Sequence, residues 1–164
     1  MKKENYQKIF SAIEKIPYGI KGISIIGKVL TYLTGIIYFA GVAGQLLVRE
    51  WIGAAALTLV PAVSFVLVSV FRKVYNAKRP YEVYDFKPLI EKDTKGKSFP
   101  SRHVFSIFVI GSSLLWLYPY AGVLVCVMGC GLAVVRVVTG VHFPKDVVAG
   151  AVVGIVCGIF MGFL

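Results

Sequence analysis

Apolar residues are gathered along this chain into five long runs, separated by short polar breaks and one polar stretch much longer than the others. The runs cover residues 29–48, 51–71, 104–120, 121–138 and 147–164. A helix rises about 1.5 Å per residue, so about 20 residues cross a bilayer core of about 30 Å. Unpaired backbone groups are very costly in lipid, and the runs therefore predict helices. The first two are joined by the minimal turn Arg49–Glu50, and the next two are broken near Pro119. Two helical hairpins and a final helix result. Residues 5–17 read differently: Ile9, Phe10, Ile13 and Ile16 recur at helical spacing, with Lys8 and Lys15 between them. That pattern predicts a helix lying in the membrane interface. As a sixth span it would have to bury Lys8, Glu14 and Lys15 in hydrocarbon.

The expected fold class is thus all-α: a polytopic membrane bundle of about five transmembrane helices plus an N-terminal amphipathic helix. It forms a single domain over residues 1–164, with an interfacial segment at 1–22 and a functional loop at 72–103. A connection as long as 72–103 usually carries function.

Composition sharpens this reading. Hydrophobic residues make up 57% of the chain and charged residues 16%, against about 45–50% and about 25% in soluble domains. Lipid is the solvent that accounts for the excess. The first 22 residues carry five lysines and no unbroken apolar stretch, so no cleavable leader is expected. The net charge of +10 raises nucleic acid as a partner. However, the basic residues lie between apolar runs and no groove-reading motif appears, so the bilayer surface and an anionic headgroup are the expected partners. Seventeen of the eighteen Lys and Arg fall on one face of this topology and only Arg49 on the other; the positive-inside tendency would put that face in the cytoplasm, but several of these cations belong to the candidate site and are no topology signal, so the sequence leaves the side of the site open. Cys126, Cys130 and Cys157 lie within apolar runs and read as small buried hydrophobes.

In the last run Gly150, Gly154, Gly158 and Gly162 recur every four residues. Such a stripe lets another helix backbone approach closely. It suits packing within the bundle, which any compact bundle requires, or a homodimer interface.

The polar residues able to do chemistry gather on one membrane face, in the 72–103 loop and the turn at 136–146. Arg72, Arg79 and Arg136 offer permanent charge and planar forks that match phosphate oxygens. Ser101 and His103 follow Pro100 at the start of a predicted helix, whose free N–H groups favour an anion. His142 and Asp146 are four residues apart, one helical turn, so the carboxylate can hold one imidazole nitrogen and leave the other free to attack. Taken singly, each arginine beside an apolar run is an ordinary snorkelling anchor. Together they carry more weight, because both histidines of the chain fall in this one constellation. Neither a metal nor a cofactor is expected: there is no carboxylate or histidine cluster and no Gly-rich nucleotide loop.

These residues stand in an order that resembles the type 2 phosphatidic acid phosphatase superfamily. Its first motif, Lys, six residues, then Arg-Pro, is matched by Arg72, Arg79 and Pro80; its second, Pro-Ser-Gly-His, by Pro100, Ser101, Arg102 and His103. Its third, Ser-Arg, five residues, His, three residues, Asp, is matched by Val135, Arg136, His142 and Asp146. Three departures stand out: Arg72 for lysine, Arg102 for glycine and Val135 for serine. None removes a residue needed for attack or proton transfer. The resemblance implies a lipid phosphatase with His142 as nucleophile, Asp146 orienting it and His103 as acid and base. Arg72, Arg79, Ser101, Arg102 and Arg136 are then the expected substrate-binding residues. Polyprenyl diphosphate, phosphatidylglycerophosphate and phosphatidic acid are the candidate substrates. Two other readings are open from the sequence: transfer of the phosphoryl group to an acceptor other than water, and a membrane protein that binds anions without chemistry.

Overall fold

In a computed structural model the chain is helical from end to end, and all residues are described except Glu91, Asp93 and Leu164. The helices are α1 (Lys3–Glu14), α2 (Gly19–Leu47), α3 (Trp51–Tyr75), α4 (Pro80–Tyr84), α5 (Arg102–Leu117), α6 (Pro119–Val138) and α7 (Pro144–Ile159); a 3-10 turn follows α7 at Phe160–Phe163. Among the described residues, four segments are long and apolar enough to cross a bilayer. They begin at Gly19, Trp51, Pro119 and Pro144.

The fifth expected span, α5, has 16 residues and is therefore only about 24 Å long. Its shortness is explained by its place. α5 packs against α2, α3, α6 and α7 together, and Val104, Phe105 and Leu114 on it are fully buried. A helix screened from lipid by its neighbours need not match the hydrocarbon thickness. The outer helices show the reverse pattern, leaving Ile36, Phe39, Leu59, Leu67 and Val127 exposed, as apolar solvent permits.

α2 begins ten residues before the apolar run that predicted it, and has 29 residues. Lys21 and Lys28 ride on this extension with exposed side chains. Long cationic stems reach water from a helix that enters the bilayer further on, so the end of an apolar run does not mark the end of the helix.

The glycine stripe of α7 is taken up inside the chain. A Cβ at Gly150 would meet the Ser101 carbonyl oxygen at 2.7 Å, and one at Gly154 the Phe105 carbonyl oxygen at 2.7 Å. Gly158 faces Ser112 and Gly162 faces Trp116 in the same way. Of the two uses of the stripe considered above, the structure shows close packing of α7 on α5, and the second copy of a homodimer would find this surface occupied.

At one end of the bundle the connections are minimal. Tyr118, between α5 and α6, donates its hydroxyl to the Gly41 carbonyl (3.2 Å) and accepts from Gln45 Nε2 (2.9 Å), tying that turn to the end of α2. At the other end α1 folds back over the loop. Its apolar face, Tyr6, Phe10 and Ile13, packs on protein: Tyr6 and Phe10 each lie 5.3 Å from Phe86, centroid to centroid.

Candidate active site

Four segments converge at the α1 end of the bundle. The last turn of α3 brings Arg72 and the N-terminus of α4 brings Arg79. The first turn of α5 brings Arg102 and His103. The turn between α6 and α7 brings His142, with Arg136 just before it and Asp146 just after. Two glycines shape the loops. Gly96 has φ +64°, and a Cβ there would press on Asn76 Oδ1; Gly140 has φ +74° and sits against Phe10 and Phe86. Both positions favour glycine, because other residues enter the left-handed region at a cost.

Asp146 lies in the first turn of α7, where its Oδ2 accepts the Phe143 N–H (3.0 Å) and caps the helix. The same oxygen accepts the Ser98 hydroxyl at 2.5 Å and faces His142 Nδ1 at 3.5 Å. Ser98 Oγ lies 3.4 Å from that nitrogen. His142, Asp146 and Ser98 are at most 2% exposed. With Nδ1 turned to the carboxylate, Nε2 is the nitrogen left for chemistry. Burial is the main influence on His142 and pushes it down to about 4, against the upward pull of the contact with Asp146, while Arg79 and Arg72 add to the fall. The ring is therefore neutral at ordinary pH, as a nucleophile must be. Behind it, Tyr6 donates its hydroxyl to the His142 carbonyl at 3.2 Å, so α1 braces this turn.

The arginines are not equivalent. Arg72 donates to the carbonyls of Lys97, Ser98 and Pro100, stapling the strand of loop that leads into α5. Arg79 donates from Nε to the Gly96 carbonyl (3.0 Å) and from a terminal nitrogen to the Val141 carbonyl (3.4 Å), bridging the loop to the His142 turn. Glu82, on α4, fixes the same corner by accepting the N–H groups of Arg79 and Gly96, each at 2.8 Å. A cavity of about 270 Å³ opens between these parts, lined by Arg72, Arg79, Lys92, Arg102, His103 and His142 among others. Both histidines thus face one space. Arg136 lines the adjoining cleft, which His103 shares.

Ser101 is fully buried, and its backbone N–H donates to the Asp146 carbonyl at 2.8 Å, locking the starts of α5 and α7 together. Its hydroxyl, and Nε of Arg136, are buried with no hydrogen-bond partner among the described residues. Buried polar atoms in that state call for an explanation, and Arg136 brings one of them to the cleft that adjoins the cation-rich cavity. Burial, and after it Arg79, Arg136, Arg102 and Arg72, push Lys92 down to about 8. Among the described residues no group of three or more His, Cys, Asp and Glu side chains is placed to hold a metal ion.

Three contributors escaped sequence reasoning. Ser98 and Glu82 act through contacts that depend on how the loop folds, and no periodic spacing announces them. Lys92 reads as one more loop lysine. A polar residue close before Pro100 was the only available hint for Ser98.

A family model of the PAP2 superfamily matches residues 53–162, which include every motif residue from Arg72 to Asp146. The chain is 25% identical over 152 residues to the bacitracin transport permease protein BcrC of Bacillus licheniformis, covering 85% of this chain and 75% of that protein. It is 27% identical over 135 residues to the lipid A 1-phosphatase of Rhizobium etli, covering 73% of this chain but only 57% of the phosphatase. Among solved structures, LpxE of Aquifex aeolicus superposes with a TM-score of 0.72 at 24% identity, over 98% of this chain and 94% of that one. The first transmembrane PAP2 type phosphatidylglycerolphosphate phosphatase from Bacillus subtilis superposes with a TM-score of 0.51 at 22% identity, over 96% and 91%. At these identities the two likenesses establish the fold.

Proposed function

Because the chain belongs to the PAP2 superfamily, we propose that it hydrolyses a lipid phosphate or diphosphate at the membrane surface through a phosphohistidine. The observation that carries this reading is the pair of histidines, His142 and His103, lining one cation-rich cavity, with Asp146 behind His142. The names of the relatives and structural neighbours, two lipid A 1-phosphatases and a phosphatidylglycerolphosphate phosphatase among them, support the substrate class.

The substrate's phosphoryl oxygens face the free donors of Arg79 and Arg136, the Ser101 hydroxyl and the first N–H groups of α5, which offset charge as it spreads in the transition state. Nε2 of His142 attacks phosphorus while the bond to the leaving oxygen breaks. His103, which takes up a proton beside the negative charge of the entering phosphate, gives that proton to the leaving oxygen. Asp146 stabilises the imidazolium character that develops on His142. Water then attacks the same phosphorus, His103 takes its proton, the P–N bond breaks and inorganic phosphate departs. Arg72, committed to three backbone carbonyls, contributes field and holds the loop in place. No step draws on a metal, so EDTA is expected to leave turnover intact.

The test uses the purified chain in detergent. His142→Ala is expected to lower phosphate release roughly 10⁴-fold or more, and label from a 32P-lipid phosphate is expected on the wild type but not on the variant. Near-normal turnover by His142→Ala would remove the nucleophile from this reading.

A further inference from the structure

Arg102 stands where the family motif has glycine, and its surroundings differ from those of the other arginines. Its guanidinium carbon lies 5.3 Å over the Phe65 ring on α3. Phe65 is two helical turns from Arg72, toward the interior of the bundle. Among the described residues the N–H groups of Arg102 donate to no protein acceptor, whereas Arg72 and Arg79 are engaged with backbone carbonyls. A guanidinium stacked on a ring keeps its planar edge of donors open for an anion.

Its position is equally distinctive. Arg102 lines the polar cavity together with Arg79 and His142. It also lines a second cleft of about 290 Å³, walled by Thr31, Gly35, Phe65, Ile107, Ile110 and Leu132. His103 lines both spaces too. From His142 in the polar cavity, a ligand therefore meets His103 and Arg102, which border both spaces, before it reaches the second cleft. A lipid diphosphate has a partner for each: a terminal phosphorus to be attacked, a bridging oxygen to be protonated and a second phosphate, ahead of its hydrocarbon. In a lipid monophosphate carbon follows the leaving oxygen directly, and Arg102 has one phosphate fewer to hold.

From this we infer that Arg102 is a specificity-determining residue that holds the inner, chain-bearing phosphate of a lipid diphosphate, with the start of the chain in the cleft between α2, α3 and α5. The inference rests on the lipid phosphatase reading above and narrows it to one substrate class. His142 takes the terminal phosphoryl group and the P–O bond to the bridging oxygen breaks. The inner phosphate leaves as lipid monophosphate, its new charge met by Arg102 and its proton supplied by His103. Water completes the cycle and releases inorganic phosphate.

The experiment compares farnesyl diphosphate with farnesyl monophosphate, the same chain bearing two phosphates or one, on the purified protein in detergent. Wild type, Arg102→Gln, Arg102→Lys and His142→Ala are measured, with lipid products separated so that the two cleavages are counted apart. Wild type is expected to favour the diphosphate. Arg102→Gln is expected to lower the diphosphate-to-monophosphate ratio of kcat/KM about 10- to 100-fold, the scale of losing charge-assisted contacts. Arg102→Lys, which keeps the charge but not the fork, is expected to lose less. Because Arg102 is exposed and makes no hydrogen bond within the protein, these variants are expected to melt like wild type. A ratio that stays within threefold in Arg102→Gln, or a wild type that prefers the monophosphate, overturns the assignment while leaving the phosphatase intact. Absence of His142-dependent release from either lipid overturns the phosphatase reading and this inference with it.

Discussion

At one end of the bundle the chain reverses within a few residues, at 48–50 and again at Tyr118; at the other it runs from residue 76 to 101 before re-entering as α5. The two ends handle polar groups differently as well. Among the described residues the first relies on a partly buried link joining Tyr118, Gln45 and Gly41. The second buries Arg72, Arg79, Ser98, Ser101, His142 and Asp146, a set of charges and hydroxyls that no soluble core of this size would gather without purpose. Burying charge costs several kcal/mol per ion even after relaxation. A fold that only needed to close its helices would use the first solution twice, and the second end departs from it as the proposed phosphate site requires.

The largest break in this contrast is expected from Asp146→Ala. It removes the partner of His142, Ser98 and the Phe143 N–H together, so activity is expected to fall about 10³-fold and the melting temperature to drop as well. Unchanged kcat in that variant would mean that the carboxylate does not orient the nucleophile. Ser98→Ala is milder, since Asp146 keeps its backbone donor: a loss of roughly tenfold in kcat, the scale of one charge-assisted hydrogen bond, is expected from steady-state assays.

A third effect separates the ends by pH. His142 titrates near 4 when folded and near 6.5 when unfolded. As pH falls below about 6.5 the unfolded chain binds a proton that the folded protein refuses, so stability is lost between about 6.5 and 4, at up to about 1.4 kcal/mol per pH unit. Denaturation midpoints followed from pH 7 to 4.5 are expected to fall more steeply for wild type than for His142→Gln, and parallel curves would contradict a buried neutral ring. The smallest effect belongs to the opposite end. Tyr118→Phe is expected to cost about 0.5–1.5 kcal/mol of stability and to leave kcat alone; a large loss of activity would show the two ends to be coupled.

Much of this architecture was legible beforehand, for identifiable reasons. The bilayer imposes a length on apolar runs, so the spans at 51–71 and 121–138 announce themselves. α5 obeyed a different constraint, burial among helices, and came out shorter than the run containing it. The four-residue spacing of His142 and Asp146 does bring them together, although His142 sits in the turn ahead of α7 and not on the helix; the other motif residues were legible from the order they share with the family pattern. Ser98, Glu82 and Lys92 were not, since each reaches the site through the path of an irregular loop. α1 was read as a membrane-lying helix from its amphipathic pattern. The pattern was correct, yet it does not say whether lipid or protein covers the apolar face, and Phe86 and Phe143 turned out to share it with Tyr6.

The backbone-to-backbone seam between α5 and α7 has a consequence for chemistry. α5 carries His103 and α7 carries Asp146, with His142 just ahead of it, so the thickness of that seam gauges the gap between the two histidines. A methyl at Gly150 would collide with the Ser101 carbonyl beside both groups, whereas one at Gly162 would press only on the Trp116 side chain at the far end. Added bulk at Gly150 should therefore disturb the site most directly, while bulk at Gly154 or Gly158 strains the same seam further from it.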